Sequence, residues 1–322
     1  MSQKRTIDAF FGSAPKRPRK DLAVERDGAL EEGDENVIES HHPRYPFPIA
    51  HLPTSISKEL TSLPARPGRT INDEPDLDLL YFEPYIPACL ARQMFEHLRA
   101  ELPFYKVEYQ IRRGGIATRV LFGIDETSQF DETGAVVDAK TGEKMPLDGR
   151  YEKCPPRPLP KCLDELRQST EAAANCRFNF CLVNYYASGA DSIAFHSDDE
   201  RFLGQDPAIA SFSLGARRDF LMKHKPAAAD QGGGVTVKAA VIKFPLKSGD
   251  MILMRGKTQS RWLHSIPKRA GKNKEDGGRI NITFRRARIK EGTENYYNYN
   301  VGSGPVYRWD KTSRAMVPMK PS

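Results

Sequence analysis

A chain of 322 residues with 39% hydrophobic content is long enough for one large folded body plus tails, and is low in apolar residues for a fully packed globule. Five cysteines (Cys89, Cys154, Cys162, Cys176 and Cys181), odd in number and without CxxC spacing, argue against a disulfide framework or a zinc knuckle and fit a reducing compartment. The net charge of +7 and the pI near 9.1 favour an anionic partner such as nucleic acid; no apolar run reaches a membrane span and no signal-peptide core opens the chain, so a soluble, intracellular, monomeric protein is expected.

Residues 1–20 carry six basic side chains against one acid, and residues 21–40 carry eight acids. A stretch rich in Pro, Ser and Thr follows to residue 70. Such blocks cannot bury a core, so 1–70 reads as a largely disordered tail. Within it, Pro15-Lys16-Arg17-Pro18-Arg19-Lys20 reads as a nuclear import signal, or else as a nonspecific basic arm. Ile7, Phe10 and Phe11 share one face of a helical turn. They resemble the box that docks proteins onto the sliding clamp PCNA, although Gln3 stands one place before the position, Lys4, where that box has Gln.

The folded part is expected to begin near Asp76. After Pro87, residues Leu90, Met94, Phe95 and Leu98 fall at helical spacing up to Leu102. From Tyr105 the pattern turns to β. Residues 125–160 are polar, with Gly and Pro, and read as a long loop with a polar insertion at 125–150. Short β-type runs follow at 178–186, 209–214, 219–223, 235–244, 250–254 and 279–286, which suggests a sandwich or barrel. Residues 291–322 form a C-terminal extension whose Tyr296, Tyr297, Tyr299, Tyr307 and Trp309 are too aromatic for a free tail.

Chemistry concentrates in three places. In Phe195-His196-Ser197-Asp198, an extended chain puts His196 and Asp198 on one face, where imidazole and carboxylate can aim at one metal ion. Taken alone, such a pair is most often incidental. His264, in Arg261-Trp262-Leu263-His264-Ser265, is the best candidate for a second imidazole. Two His and one carboxylate leave the open positions that a non-haem Fe(II) oxygenase needs. The run Arg279-Ile280-Asn281-Ile282-Thr283-Phe284-Arg285 alternates strictly. Its polar face carries two Arg, which suit a buried dicarboxylate better than a solvent edge. In the strand ending Asn184-Tyr185-Tyr186, Asn184 and Tyr186 share a face and could hydrogen-bond the same dicarboxylate.

Together these segments resemble the AlkB family of 2-oxoglutarate/Fe(II) dioxygenases, especially its nuclear DNA-repair members, over roughly residues 80–288. The matching pieces come in the family's order: Asn184-Tyr185-Tyr186, His196-Ser197-Asp198-Asp199-Glu200, Ser211 to Ala216 with Arg218-Asp219-Phe220, Trp262 to Pro267, and Arg279 to Arg285. The resemblance implies a mainly β double-stranded β-helix, a jelly roll, with supporting N-terminal helices, over a dioxygenase domain at 76–290. It implies Fe(II) held by His196, Asp198 and His264, and 2-oxoglutarate held by Asn184, Tyr186, Arg279, Thr283 and Arg285. O2 is then consumed to oxidise N-methyl groups on DNA bases such as N1-methyladenine or N3-methylcytosine, releasing formaldehyde.

By the same resemblance, a flipped base would stack between His196 and an upstream aromatic, Tyr151 or else Phe122. Asp199 and Glu200 would accept hydrogen bonds from it, or else cap a turn. Lys268 and Arg269, in a basic loop, and Arg119, after a finger-like segment at 109–116, are candidates for DNA contact; the bland alternative is solvated surface. Two other readings stay open: an RNA or protein demethylase with the same chemistry, and a catalytically dead DNA and clamp adaptor.

Overall fold

The computed structural model describes residues 37–64, 66–108, 116–145, 157–226, 240–269, 278–288 and 305–319. The chain runs β1 (Glu39–Ser40), β2 (Ile49–Ala50), α1 (Thr54–Thr61), β3 (Arg69–Ile71), β4 (Leu79–Phe82), α2 (Ala88–Glu101), β5 (Phe104–Glu108), β6 (Ile116–Gly123), β7 (Ser128–Phe130) and β8 (Val136–Asp138). It continues through α3 (Lys161–Ala174), β9 (Phe180–Tyr186), β10 (Ile193–His196), β11 (Ile209–Gly215), β12 (Arg218–His224), β13 (Val241–Leu246) and β14 (Met251–Met254). Last come α4 (Thr258–Arg261), β15 (Trp262–Ile266), β16 (Arg279–Arg285), β17 (Val306–Asp310) and β18 (Ala315–Pro318).

A long sheet has the order β18-β17-β5-β6-β9-β16-β11-β14-β4-β3, and a short one the order β10-β15-β12-β13. Side chains alternate across each strand, so β4, β9, β11 and β14 feed two cores. Cys181, Val183, Tyr185, Phe212, Ile280, Ile282 and Phe284 point to one side and pack with Leu90, Met94 and Leu98 of α2 and with residues of α1 and α3. Leu79, Tyr81, Phe180, Tyr186, Ile252 and Met254 point to the other and meet Phe220, Met222, Phe244, Trp262 and Ile266 of the short sheet. Helices, long sheet and short sheet thus form three layers, a mainly β jelly roll backed by helices on one face.

The helix expected after Pro87 forms with its apolar stripe buried. Two expectations are corrected. Residues 41–64, read as disordered, are built in: Ile56 and Leu60 of α1 are buried against the helix-side core, and Ile49 and Leu52 join them. The polar insertion holds a hairpin, β7 with β8, whose turns are fixed by side-chain oxygens: Asp131 accepts from the Thr133 and Ala135 N–H groups, and Asp138 from those of Lys140 and Thr141. The stretch after the insertion forms α3, with Cys162, Leu163, Leu166 and Thr170 buried.

The C-terminal extension adds two strands to the long sheet, β17 pairing with β5 and β18 with β17. Trp309 is the anchor. The Arg99 guanidinium lies 3.7 Å from its ring centroid, and the ring meets Tyr185 edge-on at 6.4 Å. Trp309→Ala is expected to cost about 2 kcal/mol of stability, less than a fully buried Trp because the ring is half-buried; urea unfolding checks this.

Candidate metal and co-substrate site

The strands β10 and β15 are adjacent and antiparallel, with His196 opposite His264 and an irregular register between Ile193 and His196. This brings the two imidazoles to 4.2 Å between ring centroids. Asp198, two residues beyond His196, closes the group: its Oδ1 lies 3.8 Å from His196 Nε2 and its Oδ2 lies 3.7 Å from His264 Nε2. The ligand atoms of the three residues all lie within 4.8 Å of one another.

The surroundings put each group in its ligating form. His196 Nδ1 sits 2.9 Å from the Ala194 carbonyl, which can only accept, so an Nδ1 proton suits that contact and Nε2 is the ring nitrogen that faces the carboxylate. Burial first, then the neighbouring His196, pushes the His264 imidazole down to about 3, so it stays neutral. Its ring stacks on Phe220 at 5.3 Å. The Asp198 N–H donates to Gln259 Oε1 at 3.0 Å, and Gln259, fully buried on α4, also reaches Met254 Sδ. Two imidazoles and one carboxylate within reach of one point are the donor set of a ferrous site with open positions.

The inward face of β16 supplies the second half. Arg279 is 1% exposed and donates to Ser213 Oγ at 2.8 Å, yet its Nε and Nη1 find no partner among the described residues. Burial pulls it down to about 10, while the Tyr186 hydroxyl beside it holds it up. The Asn184 side-chain oxygen is likewise buried without a partner there. Register places Tyr186 opposite Arg279 and Asn184 opposite Asn281 on the same face. Gly278 opens the strand at φ +82°, and a Cβ there would lie 2.7 Å from the Tyr185 hydroxyl, so no side chain fits where the chain enters this pocket. A buried cation with idle donors beside a polar, inward-facing strand fits a carboxylate ligand.

The structure separates the two arginines. Arg279 meets no carboxylate among the described residues, but Arg285 meets two: its Nη2 lies 3.0 Å from Asp198 Oδ2 and its Nη1 3.3 Å from Glu200 Oε1. Arg285 thus has carboxylate partners within the protein at the metal end, whereas Arg279 has none among the described residues. Thr283 donates to the Leu182 carbonyl at 3.2 Å on the same strand face.

The candidates for substrate contact scatter. Phe122 is corrected: it is fully buried on the outward face of β6, packed edge-on against Tyr45 in the helix-side core, and stacks no base. Tyr151, the finger at 109–115, the basic run at 15–20 and the Ile7-Phe10-Phe11 face lie outside the described residues. The backbone of Arg119 stands opposite Asn184 on β6, next to the site strand. Asp199 is exposed beside the metal group and held by Lys225 Nζ at 2.9 Å; burial raises the Glu200 carboxyl. Lys268 and Arg269 are exposed after β15, and the Arg269 guanidinium donates to the Arg217 carbonyl. Gln259 joins the site without a local sequence pattern to mark it, and Ser213 and Arg218, though inside segments that carry the resemblance, are not singled out by them, because their partners lie dozens of residues away.

A jelly roll carrying a half-buried His-Asp-His group and a buried arginine with unpartnered nitrogens has the parts of a non-haem iron oxygenase. The 2OG-Fe(II) oxygenase superfamily matches residues 78–285, and the chain belongs to it, as an AlkB-like 2-oxoglutarate/Fe(II) dioxygenase. The DNA oxidative demethylase ALKBH2 of Arabidopsis thaliana is 30% identical over 248 residues, covering 73% of this chain and 74% of that one. Human DNA oxidative demethylase ALKBH2 is 37% identical over 131 residues, 41% of this chain and 48% of that one. Bovine alpha-ketoglutarate-dependent dioxygenase alkB homolog 3 is 41% identical over 120 residues, 37% of this chain and 40% of its own. The matches to the last two thus span about half of those chains or less.

Proposed function

We propose that the enzyme demethylates N-alkylated bases, such as N1-methyladenine and N3-methylcytosine, in DNA, and releases formaldehyde. The observation that carries the chemistry is the buried, half-satisfied Arg279 guanidinium on β16 of the long sheet, together with the His196-Asp198-His264 group whose two histidines stand on the short sheet. The nucleic-acid part is supported by the relatives named as DNA demethylases and by the exposed Lys268 and Arg269 beside the strand of His264.

In this reading His196, Asp198 and His264 bind Fe(II) from one side. Arg279, Tyr186, Asn184 and Thr283 hold 2-oxoglutarate, and Arg285 orients Asp198 and completes the carboxylate pocket at the metal end. Bound iron with 2-oxoglutarate and O2 supplies the oxidising power, with succinate and carbon dioxide as products. The hydroxylated methyl group then leaves as formaldehyde, which a cationic base expels readily. A base that cannot pair is cheap to extrude from the duplex. Asp199 and Glu200 accept from its exocyclic amine. Lys225 holds the Asp199 carboxylate, and Gln259 fixes the backbone at Asp198. We further propose a nuclear enzyme that meets the PCNA clamp through Ile7, Phe10 and Phe11; a peptide of residues 1–20 that leaves purified clamp unbound removes that contact.

The test is formaldehyde and succinate release on matched N1-methyladenine oligonucleotides. Turnover on DNA that exceeds turnover on RNA supports the reading. Faster turnover on RNA replaces it with an RNA demethylase, and no succinate release on either replaces it with an adaptor. Reversing Lys268 and Arg269 to Glu is expected to weaken DNA binding and flatten its salt dependence, the slope falling by roughly one for each phosphate that the loop ceases to neutralise. An unchanged slope removes the loop from the interface.

A further inference from the structure

The co-substrate pocket and the histidine strands meet at Arg218, a buried residue that binds neither the metal nor the co-substrate. It opens β12 and is 3% exposed. Its Nη1 donates to the Ser188 carbonyl at 3.1 Å, and its Nη2 donates both to the Asp191 carbonyl at 2.6 Å and to the Pro267 carbonyl at 2.7 Å. Ser188 and Asp191 belong to the turn between β9, which ends at Tyr186, and β10, which ends at His196. Pro267 directly follows β15, the strand of His264.

The position of these carbonyls matters more than their number. The β10–β15 ladder has Ile193 opposite Ile266 at one end and His196 opposite His264 at the other, with a register shift between. A ladder interrupted in the middle does not by itself fix how far apart its ends stand. A single nitrogen of Arg218 reaches both chains just beyond the Ile193–Ile266 pair, on Asp191 and Pro267, and so ties the end that the ladder leaves loose. The turn is packed against the same segment a second time. The Arg269 N–H donates to the Gly189 carbonyl at 2.8 Å, and a Cβ on Gly189 would lie 2.8 Å from the Arg269 carbonyl oxygen.

The same guanidinium faces the co-substrate end. Its Cζ lies 5.6 Å from the Tyr186 ring centroid, and the Cζ of Arg279 lies 5.3 Å from that centroid. The phenol is therefore set between two buried cations. The hydrogen bonds of Arg218 go to carbonyls, and its charge, offset in part by Asp191 and Asp219, adds to the positive field at an anion bound at Arg279.

We propose that Arg218 is a positioning residue that holds the two histidine strands at their working separation and seats Tyr186 against Arg279. It acts on metal and co-substrate binding through other residues and touches neither ligand. Lysine cannot replace it, because one ammonium lacks the planar fork that spans three carbonyls.

The test uses the 322-residue chain with Mn(II), 2-oxoglutarate and no nucleic acid, so it stands whatever polymer the enzyme repairs. Titration calorimetry gives the Mn(II) affinity of the free protein and the 2-oxoglutarate affinity of the Mn(II)-loaded protein. Arg218→Met is expected to weaken both by roughly ten- to a hundredfold, the range for residues that orient metal ligands. Arg218→Lys, which keeps the charge, is expected to recover part of the 2-oxoglutarate affinity and little of the Mn(II) affinity. Trp309→Ala, destabilised on the far side of the long sheet, is the control and should bind both within about twofold of the unaltered chain, since it lies outside the site. Wild-type affinities in the two Arg218 variants overturn the proposal, and so does an equal loss in the Trp309 control. If Arg218→Met does not fold, Arg218→Lys decides alone; if neither folds, Arg218 is a folding residue and the proposal falls.

Discussion

Asp198→Ala is expected to leave the protein unable to hold a divalent metal and to lower turnover by more than the roughly 10- to 100-fold that loss of a supporting residue costs. The carboxylate is the only formal negative charge in the ligand group. Its two oxygens serve different partners, Oδ1 toward His196, and Oδ2 toward His264 and toward Arg285 at 3.0 Å. Without it a dication would face two neutral imidazoles and a guanidinium, an arrangement with no charge compensation. The metal-free protein should suffer less, because Arg285 keeps Glu200 at 3.3 Å. A stability loss of about 1–3 kcal/mol is expected from the half-emptied pairing. Asp198→Asn keeps the shape and removes the charge, so it should lose metal while staying nearly as stable. Mn(II) titration, succinate release and urea unfolding separate these effects. An Asp198→Asn protein that still turns over at the normal rate would remove Asp198 from the ligand set.

The metal group is legible in the sequence because short-range geometry forces it: two residues apart on an extended chain, His196 and Asp198 must share a face, and the strict alternation from Arg279 to Arg285 divides that strand into an apolar and a polar side. Alternation does not say what stands across from each side chain. That is why Arg285 reads as a ligand-seeking cation in one dimension, although the fold sets Asp198 and Glu200 against it. It also explains Phe122, an aromatic near the site in sequence whose parity on β6 turns it, with Val120, toward the helices. The segment from Ile49 to Leu60 looks too polar and too Pro-rich to fold, and alone it is. It is ordered by apolar surface that α2 and α3 present to it, a contact no local window contains. The α3 pattern, Cys162, Leu163, Leu166 and Thr170, is present but sparse, diluted by the polar residues on its outer face. Arg218 stands in a segment that carries the family resemblance, but its role, like that of Gln259, is not legible there, since each matters through carbonyl or amide groups that the fold brings from distant turns.

For Arg279→Met, stability and function are expected to move in opposite directions, which makes it the sharpest check on the co-substrate pocket. In the ligand-free protein this guanidinium is a liability. It is 1% exposed, it donates to Ser213, and its other two nitrogens are unpartnered among the described residues. Burial first, with a smaller push from Arg218, pulls it from its ordinary range to about 10 although the Tyr186 hydroxyl holds it up. Replacing a poorly compensated buried charge with an apolar chain of similar length is commonly neutral or stabilising by about 1–4 kcal/mol, less whatever the stranded Ser213 hydroxyl costs. The unliganded variant should therefore unfold at equal or higher urea concentration than the parent. Its 2-oxoglutarate affinity should collapse, because a charge-assisted, desolvated contact to a carboxylate contributes about 3–5 kcal/mol, or roughly two to four powers of ten in affinity. Mn(II) affinity should change little, since the triad is untouched. A residue whose role was structural would give the reverse: a less stable protein that still binds its co-substrate. The pairing of a gain in stability with a loss of binding is what a site that keeps a cation waiting for an anion must show.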